Sequence, residues 1–514
     1  MLSIQGLSFS YPSSPVSIFE DLSLELRPGW TAIVGANGCG KSTLLRLLCG
    51  ELVPSRGHLN LPGAALYCPQ PTETEPALLE DFGADWGAEA GALRARLGIG
   101  EDWAWRYPTL SHGERKRLQL AVALWRSPHV LAVDEPTNHL DAAATAMIAQ
   151  ALERFEGVGL LVSHERALLD RLASHCLMLG PSGPQLRPGN YTQARSQAQL
   201  EQDSLRRERD ANKRELQRLE REAKRRAQQA SQADAKRSMR HLDKADSDGR
   251  ARIGLAILTG KDARAGRLAR QQQARVDKVA EQVASMQLDK SYEAPVWLPD
   301  SYSRRAFVAT LPASKLELGP SRCLHWPDLH LGARERVAVW GSNGAGKSTL
   351  LRTLVRAAFD WDEALPPSPL QLQAQRVLYL PQELSAESGP ALLEELRGLG
   401  DEQMGQVLAL VSRLGSRPER ILDGHAPSPG ELRKLYLAQG IVLQPHLLIL
   451  DEPSNHLDLP ATEALEAALA ASPCALLLVS HDSRLVARLC QRFWCIDAAT
   501  GVLSVRDEAP EAGA

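Results

Sequence analysis

This 514-residue chain has no long apolar run. None of its stretches approaches the roughly 18 apolar residues that cross a bilayer, so no membrane-spanning helix and no membrane partner are expected. The opening residues MLSIQGLSFSYP have no basic segment followed by an apolar core, so no secretory signal is expected. Cysteine is scarce, with eight residues and no CxxC pair. That excludes a disulfide framework and favours a reduced, cytoplasmic protein. Proline is absent from Gly189 to Ala294, although the chain holds 32. Proline breaks helix interiors, so the gap favours long helices there. The net charge is only −3, but it is unevenly spread: residues 191–290 carry 24 Lys and Arg against 15 Asp and Glu. A basic segment inside an otherwise acidic chain suits a polyanionic partner, and equally a solvated helix face.

An internal repeat organises the rest. GANGCGKSTLLRLL at 35–48 recurs as GSNGAGKSTLLRTL at 341–354. YCPQ (67–70), SHGERKRLQLA (111–121), VDEPTNHLD (133–141) and LLVSHE (160–165) recur in the same order as YLPQ, SPGELRKLYLA, LDEPSNHLD and LLVSHD. Five ordered matches mean a tandem duplication. The spacing predicts an α/β chain with two tandem P-loop nucleotide-binding domains, 1–190 and 301–514, and a basic helical linker at 191–300.

Each copy carries phosphate chemistry. G-x-x-x-x-G-K-[ST] after an apolar strand and before a helical pattern is a P-loop, whose backbone N–H groups curl around phosphate. Gly35, Asn37, Gly38, Gly40, Lys41, Ser42 and Thr43 form the first cradle. Gly341, Asn343, Gly344, Gly346, Lys347, Ser348 and Thr349 form the second. The lysines reach the β- and γ-phosphates of ATP, and Ser42 and Ser348 ligate Mg²⁺. VLAVDE and LLILDE are short apolar runs ending in paired carboxylates, as buried parallel strands do. Asp134 and Asp451 then hold Mg²⁺, while Glu135 and Glu452 orient and deprotonate the attacking water. His164 and His481 each follow another apolar run, 29 residues past the glutamate, and read as γ-phosphate contacts.

SHGE and SPGE before a helical pattern, DEP(T/S)NHLD and the SH pair resemble the signature, Walker B, D-loop and switch histidine of ATP-binding cassettes (ABC). Two cassettes, no membrane domain and a charged helical linker resemble the ABC-F subfamily of translation factors and ribosome-protection ATPases. The resemblance covers the whole chain. It implies Q-loop roles for Gln70 and Gln382 at nucleotide and metal. It also implies that two ATPs are sandwiched between the cassettes of a monomer, each meeting one P-loop and the opposite signature residues, Ser111 and Gly113 or Ser428 and Gly430. The partner it implies is the ribosome, its rRNA and tRNA met through 191–300, with the linker reaching towards the peptidyl-tRNA. A DNA-tracking ATPase and a transporter's nucleotide-binding subunit are the alternatives.

The chain departs from the family's pattern in three places. LSHGE has His112 in place of a glycine, and PSPGE has Pro427 and Pro429, so the second signature has one N–H fewer for phosphate. An adenine-stacking aromatic is present upstream of the first P-loop as Tyr11, but KLEL (315–318) has none. The family's larger insertion in the first cassette is missing, since Gln70 to Ser111 spans 41 residues and Gln382 to Ser428 spans 46.

In the linker, Leu216, Leu219, Ala223, Ala230 and Ala233 form one narrow seam, and Val276, Val279, Val283 and Met286 another. Two antiparallel helices joined by a partly apolar tip around IGLAIL (253–258) are expected. Residues 213–240 hold ten basic side chains against four acidic ones.

Overall fold

The computed structural model describes residues 1–12, 16–138, 140, 142–180, 183–237, 261–285, 303–319, 322–356, 371–372, 376–384, 388–416 and 427–508. The chain forms two compact units. One joins Met1–Ala194 to Ser291–Ala514, and the other is Arg195–Lys290.

The first unit contains both cassettes. In the first cassette, a six-stranded sheet runs in the order Ala65–Cys68, Val130–Asp134, Val158–Val162, Gly29–Gly35, Ala173–Gly180, Gly183–Pro188. Its first five strands are parallel and the last is antiparallel. The strands Val130–Asp134 and Val158–Val162 are buried at every residue, as their unbroken apolar composition requires when helices cover both faces. The second cassette repeats this order as Val377–Leu380, Leu447–Asp451, Ala475–Val479, Arg336–Trp340, Arg492–Asp497, Val502–Arg506. In both, the strand leading to the switch histidine lies between the P-loop strand and the carboxylate strand. The three loops that carry the expected site residues therefore leave the carboxyl ends of adjacent strands side by side, the end where open parallel sheets bind ligands.

The two copies differ at the accessory sheet. The first copy uses one long strand, Leu2–Phe9, paired with Phe19–Leu26 and Arg56–Asn60. In the second copy Pro312 and Pro327 interrupt the ladder, because proline has no N–H to give it. Phe307–Leu311 pairs with Leu329–Gly332, and Ser314–Gly319 pairs separately with Arg322–Trp326, which joins the main sheet at His325 opposite Val502.

The second unit is built from the helices Tyr191–Arg237 and Lys261–Ser285, the first of which begins in the other unit. At 1.5 Å per residue, the 47-residue helix is roughly 70 Å long. Leu219 and Val276 are buried, and Leu216, Ala223, Val279 and Val283 are half-buried, as expected of the seam; Met286 lies outside the described residues. Gln272 extends it and donates to Glu222 across the two helices at 3.1 Å. Lys213, Arg214, Arg218, Arg221, Lys224, Arg225 and Arg226 are exposed. The apolar tip at 253–258 lies outside the described residues. Among the described residues, no helix is long and apolar enough to cross a membrane.

Candidate active site

The P-loops form where the sequence places them. Gly38 and Gly40 have φ of 77° and 98°, and Gly344 and Gly346 have 75° and 98°, values that side chains rarely adopt. The helices Lys41–Leu48 and Lys347–Val355 start directly behind, with no side-chain cap at either N-terminus. No side chain therefore competes with an anion for the helix starts. Lys41 Nζ donates to the carbonyls of Gly35 and Ala36 at 2.9 and 3.2 Å. Lys347 Nζ donates to those of Gly341 and Ser342 at 2.8 and 3.0 Å. Tyr11 stands against the first P-loop helix, its hydroxyl 3.1 Å from Thr43 Oγ1 and its ring edge-on to Phe9. Ile18 and Phe19 lie nearest Gly40, and Leu318 nearest Gly346.

The carboxylates and histidines form matched pairs. Glu135 and Glu452 adopt left-handed backbone, φ 46° and 48°, a strained conformation for a long side chain. Their N–H groups donate to Val162 and Val479 carbonyls at 2.9 Å, which ties each to its neighbouring strand. His164 Nε2 lies 3.1 Å from Glu135 Oε1, and His481 Nε2 lies 3.5 Å from Glu452 Oε1. The histidine N–H groups donate to the same carboxylates at 3.2 Å. Burial first, then the Asp134 charge, pushes Glu135 up to about 7. Burial pushes Glu452 up to about 8, with the Asp451 charge adding to it. Burial and Lys41 push His164 down to about 4, so it is neutral at pH 7. A carboxylate raised towards neutrality is suited to take a proton from water.

The residues also fit Mg²⁺. Ser348 and Asp451 lie within hydrogen-bonding reach, and Asp451 Oδ1 is buried without a hydrogen-bond partner. Hydroxyl, amide and carboxylate oxygens are hard donors, and one carboxylate per site leaves room for phosphate oxygens and water. Among the described residues no group of three or more His, Cys, Asp or Glu forms a metal cage.

The two cassettes meet at this site. Asn37 N–H donates to Asp458 Oδ2 at 2.8 Å, and Asn37 Nδ2 donates to the His456 carbonyl at 3.1 Å. A Cβ on Gly430 would lie 4.0 Å from Asn37 Nδ2, so the second signature faces the first P-loop. A cavity of about 960 Å³ is lined by Asn343, Gly344, Gly346, Lys347, Ser348, Thr349, Gln382, Asp451, Glu452 and His481. Asn37, Gln70, Glu135, His164, Ser428 and Gly430 line it too, whereas Lys41, Ser42, Asp134, Ser111 and Gly113 do not. Both signatures open with a capping box, Ser111 with Glu114 and Ser428 with Glu431. Pro429 occupies the first helical turn, where its missing N–H leaves the helix ladder intact and removes only a terminal donor.

Four features of this site escaped sequence reasoning. Tyr67 donates its hydroxyl to Asp134 Oδ2 at 2.9 Å. YCPQ and YLPQ flagged the position only as part of the repeat. Asp458 serves both cassettes, its Oδ1 accepting from Ala461 N–H at the start of the helix Leu459–Ala470. Arg166 lies 2.6 Å from Glu466 and 3.1 Å from Asp482 of the other cassette. Lys116 and Arg433 are buried cations beneath the two signatures.

A family model described as ABC transporter matches residues 19–138 and 324–455. The chain is 31% identical to the tylosin resistance ATP-binding protein TlrC of Streptomyces fradiae, over 95% of each chain. It is 27% identical to the ribosome protection protein VmlR of Bacillus subtilis, over 92% of this chain and 83% of that one. Among solved structures, an archaeal ribosome recycling factor in complex with a ribosomal stalk protein matches with a TM-score of 0.59. It is 17% identical, over 95% of this chain and 87% of that one, and shows the shared fold.

Proposed function

The chain belongs to the ABC-F family of ATP-binding-cassette proteins, and from that premise we propose that it is a cytoplasmic ATPase that acts on the ribosome through its basic helical unit. The observation that carries the ATPase reading is the doubled glutamate–histidine pair, a buried carboxylate of raised pKa beside an imidazole, next to each P-loop. MgATP supplies the γ-phosphoryl group to be transferred to water. Lys41 and Lys347 exchange their loop carbonyls for phosphate oxygens, since both amines already lie on the P-loop. Ser42 with Asp134, and Ser348 with Asp451, hold the metal, with Gln70 and Gln382 beside them. Glu135 and Glu452 take the proton of the attacking water, and His164 and His481 fix those carboxylates and contact the γ-phosphate. Ser111 with Gly113, and Ser428 with Gly430, close each site from the opposite cassette.

The ribosome reading is supported by relatives named for tylosin resistance and for ribosome protection, and by seven exposed Lys and Arg between 213 and 226. Such a rod suits RNA phosphates. The test is the chain with Glu135→Gln and Glu452→Gln. It is expected to bind ATP, to hydrolyse it about 10²–10⁴-fold more slowly, and to cosediment with ribosomes in an ATP-dependent way. Wild-type turnover in this variant refutes the assignment of the base, and retention on DNA-cellulose instead of ribosomes refutes the partner.

A further inference from the structure

Lys116 and Arg433 occupy equivalent places in the two copies, 317 residues apart, on the inner face of the helices His112–Trp125 and Pro429–Val442. They are 1% and 2% exposed, on helix faces that are mostly apolar, with Gln119 in the first and Lys434 in the second as the other buried polar side chains. An apolar side chain is the cheaper occupant of such a position, because a buried charge costs several kcal/mol unless acceptors converge on it. Acceptors do converge. Lys116 Nζ donates to the carbonyls of Pro69, Gln70 and Asp134 at 2.6, 3.5 and 3.4 Å. Arg433 donates to the carbonyls of Gln382, Asp451 and Glu452 at 2.8, 2.8 and 2.6 Å. Lysine in one copy and arginine in the other share charge and donors but not shape, so the common requirement is a cation that binds backbone oxygen.

Each cation is thus the joint of three segments that touch nucleotide: the signature helix, the Q-loop and the end of the carboxylate strand. The third segment is under strain, because Glu135 and Glu452 sit at positive φ and such backbone persists only where its surroundings hold it. Arg433 grips the peptide on both sides of Glu452. Lys116 reaches only the carbonyl before Glu135, and at greater length. We propose that Lys116 and Arg433 are positioning residues, which hold the Q-loop and the strained backbone of the base in register with the signature helix of the same cassette. Movement of a signature helix away from the opposite P-loop then displaces its own cassette's base. Neither side chain touches substrate. The inference rests on the ATPase reading above.

The experiment measures steady-state ATP hydrolysis and fluorescent-ATP binding by the full chain. Lys116→Met with Arg433→Met keeps side-chain length and removes both cations. The expected result is a fall in kcat of tenfold or more, with KM and nucleotide affinity within threefold of wild type. Lys116→Arg with Arg433→Lys keeps the charges and is expected to retain at least a third of wild-type kcat. Arg433→Met alone is expected to lose more than Lys116→Met alone. Loss of activity in the charge-keeping pair overturns the proposal even if the methionine pair fails to fold. So do equal losses in the two single variants, or a KM that rises in step with the fall in kcat. A wild-type chain that hydrolyses no ATP rejects the ATPase reading instead.

Discussion

Arg166 gives a quantitative test of how the cassettes are held. Its side chain is 8% exposed and contacts Glu466, 4% exposed, and Asp482, 18% exposed, both in the other cassette. Replacing it by methionine keeps the packing volume and strands a buried carboxylate. Breaking a buried pair by removing one partner costs about 3–5 kcal/mol. Glu466 keeps a second partner, Arg488 at 2.7 Å, but that guanidinium is 59% exposed and largely screened. The lower end, about 3 kcal/mol, is therefore expected. For one cassette of about 200 residues, unfolding on its own, this lowers the midpoint by about 6–12 °C. Adding Glu466→Gln removes the stranded charge and should recover about 2 kcal/mol, since residues in contact are not additive. Calorimetry of the four chains of this cycle, at low and high salt, reads the coupling directly. A shift below about 2 °C in Arg166→Met, strict additivity, or a coupling that vanishes in high salt would refute a buried pair.

The remaining expectations are cheaper to test. Lys41→Ala and Lys347→Ala are expected to lower ATP affinity and turnover unequally, because Tyr11, Ile18 and Phe19 flank the first P-loop and Leu318 the second; equal effects in titration and turnover count against unequal sites. Burial holds Glu165 up at about 6, so its contribution to stability is full below its ordinary range and is lost as pH rises through 6. Glu165→Gln should therefore stabilise the chain by up to about 2 kcal/mol at pH 8 and much less at pH 5, and a pH-independent gain in the unfolding midpoint contradicts this. Reversing Arg221, Arg225 and Arg226 to Glu should weaken ribosome binding and flatten its salt dependence by roughly 0.7–0.9 for each phosphate no longer neutralised, with basal ATPase intact. An unchanged slope in cosedimentation makes the rod a spacer.

Motifs whose chemistry is local were legible in the sequence. A P-loop needs glycine at fixed φ, a strand before it and a helix after it, and all three leave marks within fourteen residues. The linker seam was legible because its period is that of a helix. Lys116 and Arg433 were not, since ERKR and ELRK read as charged helix surface until the burial of Lys116, and of Arg433 beside Lys434, is known. Arg166 and Asp458 were hidden for a different reason. Their partners lie 316 and 421 residues away in sequence, and no period connects one cassette's loop to the other's helix. Tyr11 was read as an adenine platform, and its hydroxyl on Thr43 ties it to the phosphate helix as well.

The division of labour within Asp458 bears on how often the cassettes can open and close. One oxygen caps its own helix and the other receives the opposite P-loop's N–H. In the ATPase cycle proposed above, parting of the halves would leave the first bond in place and return the second oxygen to water. The carboxylate then waits in the rotamer it had when docked, so each re-closure fixes no new torsion at this point. A contact made this way does not wear into alternative arrangements.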